Sequence, residues 1–406
     1  MPAYQLPNGA QAFYELYGEE ELDQAKPTLA FLPPSLGYTG LLEDYYQDPE
    51  LQERFNLIGI EPSASCGQTK EVVDEHYDAF VAAAELLVVI DSLQLPAVHL
   101  FAPEQHSALL ALCMAFAFPE RIASITLVGI PPLDNADDKV YEYAAKRHLD
   151  PWQTDDWIEV VEAFVNYHYK ADRGEMAVNI LDRLVDADAR TCIHRPHAQL
   201  MWWSILLERN WVTPVILPHL QCQVLLVLST SDRKDFAQQC LARIPEGKGK
   251  VIYVANAPLN LALTKAAQVL PPMKSFLALQ PDSQPFAPID MRRAFQRAHR
   301  ILHPNDDGPP SGKEAHDPIS FSMLPMAGVS FRKASLGDLN KKLEPYKNQN
   351  CPLKYGKGPA PWSGCPVEEL RARWSKRHEA DSMHGIRRAS AGDVKVESSS
   401  VTRDDL

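Results

Sequence analysis

The sequence predicts an α/β protein: a mostly parallel sheet covered by helices on both faces, with a helical insertion and a low-order C-terminal tail. Three observations predict it. Apolar strand-like runs alternate with helical stretches through the first 130 residues, and again from 221 to 280. Residues 97–130 read as strand, sharp polar turn, wholly apolar helix and strand. Beyond Pro281 prolines and glycines become frequent and long-range apolar periodicity stops.

The elements follow in order. Ala10–Tyr17 and Thr28–Leu32 are the first two expected strands, the second ended by Pro33-Pro34. Phe55–Ile60 is a third, followed by a small-residue loop from Glu61 to Gly67. Residues 72–93 form a helical stretch with Phe80, Ala83, Ala84, Leu87 and Val88 on one face. Val98–Phe101 is a short buried strand, and the turn Ala102-Pro103-Glu104-Gln105-His106-Ser107 follows it. Ala108–Phe118 is apolar on every face, so that helix must be buried on most sides. Ile125–Val128 resumes the strands, and after Leu133 the alternation breaks. Helical segments at Trp157–Tyr167, Ala177–Leu184 and His197–Arg209 make 134–220 a helical cap inserted into a core of 1–133 and 221–280. Val224–Leu228 and Val251–Val254 are the last strands, each followed by a helix, the second ending near Leu279. In the tail, 281–406, Asp290–Leu302 is an amphipathic helix capped by Asp290, and Pro366–His378 is another candidate.

Charge divides the chain. The formal net charge is −13, yet residues 281–406 hold 20 Lys+Arg against 16 Asp+Glu, leaving −17 on the first 280 residues. So acidic a body argues against nucleic acid or an anionic membrane as partner. The seven cysteines, at 66, 113, 192, 222, 240, 351 and 365, are scattered without metal-ligand spacing. An odd set of scattered thiols suits a reducing compartment, and the N-terminus shows no signal pattern, so a cytoplasmic or nuclear location is expected.

Residues 8–280 resemble an α/β-hydrolase with a helical cap. The resemblance rests on Phe55–Glu61, on Phe118-Pro119-Glu120-Arg121 leading into Ile125-Thr126-Leu127-Val128, and on the place of the cap after that strand. Such a family implies a nucleophile on a strained turn, a histidine base, an orienting acid and N–H donors for an oxyanion. Aligned on strand and helix, the elbow pentapeptide is Ala102-Pro103-Glu104-Gln105-His106, with Glu104 at the nucleophile position and His106 where a glycine belongs. Asp232 fills the acid position, and Leu259 the base position 27 residues later. Leu259 has no basic atom, and losing a general base costs roughly two to four orders of magnitude in rate. Ser35 and Gln105 hold the oxyanion-hole positions, in a loop where Pro33-Pro34 replaces the family's His-Gly. Glu104 is expected to turn its carboxylate onto those two N–H groups, a resident anion in the oxyanion site.

Other residues could in principle rescue the chemistry. Ser107 reads as a helix-start hydroxyl bonding backbone, and His106 could serve as base only in a rebuilt turn. Cys113 is core, and Cys66 lies near the expected pocket mouth without a group to lower its pKa. His194 and His197 beside Cys192 have a metal-compatible spacing, but three ligands lack a fourth, so no metal is expected. Trp202 and Trp203, with Trp211, are either cap core or the roof of an apolar pocket.

Two tail segments echo each other: Arg332-Lys333-Ala334-Ser335-Leu336-Gly337-Asp338 and Arg387-Arg388-Ala389-Ser390-Ala391-Gly392-Asp393. Basic residues at −3 and −2 make Ser335 and Ser390 resemble sites of a basophilic kinase. Cys351-Pro352 resembles a haem-regulatory motif and Cys365-Pro366 a poorer copy, so haem is a remote cofactor candidate. The reading that results is a non-catalytic α/β-hydrolase-like binding or regulatory protein with a phosphorylatable tail. Its partner would be a small apolar ligand or another protein. The alternative is an esterase or lyase with relocated residues, Asp232 acting with His106 or a cap histidine.

Overall fold

A computed structural model describes residues 3–5, 11–18, 21–34, 39–63, 78–129, 131, 205, 212–230, 234–255, 260–280, 286 and 288–304. Most of the expected cap, the loop 64–77 and residues 305–406 lie outside the described residues, as does the expected helix Pro366–His378.

Among the described residues, eight strands form one sheet: β1 (Ala3–Gln5), β2 (Gln11–Tyr17), β3 (Thr28–Phe31), β4 (Asn56–Glu61), β5 (Val98–Ala102), β6 (Ile122–Val128), β7 (Gln223–Ser229) and β8 (Gly249–Val254). Their order is β1-β2-β4-β3-β5-β6-β7-β8. β1 and β2 are antiparallel to their neighbours, and every pairing from β4 to β8 is parallel. Parallel neighbours need crossovers, which is why strand and helix alternate along the chain. The parallel strands β3, β4 and β5 are buried at every residue, as strands covered on both faces must be.

The helices are α1 (Glu43–Tyr46), α2 (Pro49–Arg54), α3 (Ala79–Ser92), α4 (Gln105–Ala117), α5 (Val212–Ile216), α6 (Lys234–Arg243), α7 (Leu261–Thr264), α8 (Ala266–Leu277) and α9 (Met291–Leu302). Asp78 caps α3, its carboxylate accepting from the Phe80 and Val81 N–H groups at 2.8 and 3.0 Å. The small residues Ala82, Ala83 and Ala84 are fully buried, on a helix that packs against α4. Helix α4 begins at Gln105, three residues before its apolar run, because Glu104 already has extended backbone.

The C-terminal helix explains why α4 is apolar all round. α4 packs on β5 and β6, beside α3 and α5, and α9 covers it further. Asp290 caps α9 through the Arg293 N–H at 3.1 Å, as its sequence predicts. Ala294, Phe295 and Ala298 are buried, and Phe295 meets Phe118 edge-on at 5.4 Å. Arg297 holds Glu120 with both guanidinium nitrogens (2.6 and 3.2 Å) and donates to the Ala117 carbonyl at 2.9 Å. That carbonyl belongs to the last turn of α4, where a cation is favourably placed. Arg121, itself buried, donates to the Leu95 carbonyl, pairs with Asp91, and lies 4.3 Å from the centre of the Phe286 ring. The packed body therefore includes Phe286 and α9.

Candidate functional site

In a sheet of this topology ligands meet the carboxyl ends of the parallel strands. There β5 ends at Ala102, Pro103 follows, and Glu104 is the N-cap residue of α4. Glu104 is buried, with φ −154° and ψ 179°. That is ordinary extended backbone, which any residue adopts without strain. Among the described residues other than glycine only Gln94 has a positive φ, so no strained turn presents Glu104. Its carbonyl accepts from the Ala108 N–H at 2.7 Å, while its carboxylate makes no capping bond to α4.

The first turn of α4 is tied to the neighbouring loop. The buried Ser107 hydroxyl donates to the Pro33 carbonyl. The sequence places this hydroxyl against its own helical turn; instead it crosses to the segment after β3. The Pro33 carbonyl lies past the end of β3, and the Ser107 hydroxyl supplies a donor for it. Among the described residues, the Leu32 N–H, donating to the Phe101 carbonyl at 2.9 Å, is the last backbone donor from this strand toward β5. His106 is buried beside Ser107, and Gln105 is half-buried.

The remaining predicted positions are described unevenly. Ser35, Asp232, Leu259, Trp202 and Trp203 lie outside the described residues, as do Cys66, Cys192, His194, His197, Ser335, Ser390, Cys351 and Cys365. Flanking residues fix where the loops leave the sheet: Thr230 donates to the Val254 carbonyl at 2.9 Å, and buried Asn260 opens α7. Cys113, Cys222 and Cys240 are buried, and burial raises each thiol pKa, to about 12 for the latter two. None is poised as a nucleophile. Among the described residues no group of three or more metal-ligating side chains comes together, and no helix is long and apolar enough to cross a membrane.

Sequence reasoning missed a second cluster at this edge. Glu61, the last residue of β4, is fully buried and accepts from Thr39 N–H and Oγ1 at 2.7 and 2.8 Å. Desolvation pushes its carboxyl up to about 7 against the pull of those two bonds. The Tyr46 hydroxyl donates to the Thr39 carbonyl at 2.7 Å, and Tyr17 stacks on Tyr46 at 3.5 Å. The Tyr45 hydroxyl donates to the Ala262 carbonyl at 2.9 Å, joining α1 to α7. Glu85 of α3 accepts from Ser63 N–H and Oγ. The available signal was a carboxylate closing an otherwise apolar strand, Asn56-Leu57-Ile58-Gly59-Ile60-Glu61.

No family model matches the sequence, and no curated protein matches it. Solved structures do match. A carboxylesterase of the thaumarchaeon Nitrososphaera gargenis is 17% identical, with a TM-score of 0.54 over 68% of this chain and 98% of that one. A hydrolase from Pseudomonas aeruginosa PA01 is 17% identical, with a TM-score of 0.52 over 68% and 97%. An esterase from Thermogutta terrifontis is 15% identical, with a TM-score of 0.52 over 68% and 97%. At these identities the likeness is one of fold, and this chain has the α/β-hydrolase fold.

Proposed function

We propose that the chain is a binding or regulatory protein whose elbow no longer acts as a nucleophile. The observation that carries this reading is the backbone of Glu104. A nucleophile elbow holds its reacting atom out on a strained turn, and Glu104 sits on relaxed, extended backbone. Two further facts support it. The nearby Ser107 hydroxyl is engaged by the Pro33 carbonyl, and the base position is Leu259. Glu104 beside the Ser35 and Gln105 positions would fill the oxyanion site as a resident anion. The ligand would then be a small apolar molecule roofed by Trp202 and Trp203, bound without turnover; a protein partner is the other outcome.

The solved structures favour a second reading, because those named above are an esterase, a hydrolase and a carboxylesterase. In it, Asp232 would orient His106 as base in a relocated site. A screen with p-nitrophenyl esters separates the two readings. The first expects no hydrolysis above background, and no change in Glu104→Ala or Asp232→Ala. Turnover abolished by either substitution would establish the second.

A further inference from the structure

The turn after β3 is gripped from several sides, and one grip can exchange a proton. Thr39 opens a 3-10 turn, Thr39–Leu42, at the carboxyl edge of the sheet. Glu61 Oε1 takes both of its donors, and the Tyr46 hydroxyl takes its carbonyl. Beneath it lies Gly59, where a β-carbon would stand 2.5 Å from Thr39 Oγ1, so the turn rests directly on the backbone of β4.

Neither protonation state of Glu61 is satisfied in this position. As a carboxylate it has two donors on Oε1, but Oε2 has no hydrogen-bond partner among the described residues. As an acid it would carry on Oε2 a proton with no acceptor among the described residues. Among the described residues, the charged and titratable groups around it are Glu15 and Tyr17 on β2 and Tyr46 on α1. Glu85 on α3 is engaged by Ser63.

We propose that Glu61 is a proton-linked positioning residue for Thr39–Tyr46, keeping the segment closed while protonated and releasing it on proton loss. Linkage sets the direction. A carboxyl that ionises less readily when closed in than when hydrated makes opening easier as pH rises. Release would reach further than the turn, because Tyr45 ties the same segment to α7. The linkage goes beyond the proposed function, since it holds whether the edge binds or cleaves its ligand.

Amide hydrogen exchange of the full chain tests it, with rates corrected for the intrinsic pH dependence. Protection of residues 39–46 should fall about a hundredfold between about pH 5 and 8, while α4 stays flat. Glu61→Gln keeps an acceptor for Thr39 and removes the titration, so its profile should be flat throughout. A flat wild-type profile, or an unchanged slope in the variant, overturns the proposal. If the variant does not fold, the infrared band of a buried protonated carboxyl in the wild type decides. That band should disappear near neutrality, and its absence in mild acid overturns the proposal equally.

Discussion

Glu61 and His99 are both buried in the sheet, and burial moves their two acidities in opposite directions. Desolvation raises Glu61 from 4.5 to about 7. Desolvation, then the charge of Arg54, lowers His99 from 6.5 to about 4, while its Nδ1 shares a 2.8 Å hydrogen bond with Ser124 Oγ. Because its pKa is raised in the fold, Glu61 contributes stability that is complete below pH 4.5 and lost by about pH 7. His99, lowered in the fold, contributes stability that is complete above pH 6.5 and lost as pH falls to about 4. Each window is worth about 3 kcal/mol at most, and where they overlap the two slopes cancel. Denaturant unfolding across this range should therefore be nearly level for the pair in the wild type. Relative to wild type, Glu61→Gln should gain stability as pH rises, and His99→Gln should lose it. Variants that both follow the wild-type curve would show that neither group titrates differently in the fold.

At the scale of elements, the question is what holds α9 against the body. Phe295 is buried against Phe118, whereas Arg297 and Glu120 are 41% and 55% exposed. Removing a buried phenylalanine costs about 3–5 kcal/mol, and breaking an exposed ion pair about 0–1 kcal/mol. Packing should win: Phe295→Ala should lower the denaturation midpoint several times more than Arg297→Ala, and equal losses would reverse the assignment. The same helix shows where sequence reading ends. Its residues and its Asp290 cap were legible, because periodicity and capping are local signals. Its docking on α4 was not, because Arg297 and Glu120 stand 177 residues apart. The parallel strands were legible as apolar runs, with ends within three residues of those observed. The three-residue β1 was not, being too short to show alternation. At the site, the place of Glu104 between β5 and α4 was legible by alignment of strand and helix. Its relaxed backbone was not, nor was the grip of Glu61 on Thr39, since both depend on how separate loops meet.

For the whole molecule the governing quantity is charge. Residues 1–304, which include the packed helix α9, carry −15, and residues 305–406 carry +2. Opposite charges on one chain attract over about 8–10 Å at moderate ionic strength and little beyond it. We propose that Ser335 and Ser390 are the switch on this attraction. Each phosphate adds about −1.5 to −2 charges, so two would reverse the sign of the segment. Treatment with a basophilic kinase such as protein kinase A should modify both serines. It should enlarge the Stokes radius at low salt and have little effect at high salt, where the attraction is already screened. Ser335→Ala together with Ser390→Ala should abolish the response. Phosphate incorporated elsewhere, or a radius that ignores both salt and phosphate, would separate the echoed motifs from any electrostatic control of the chain.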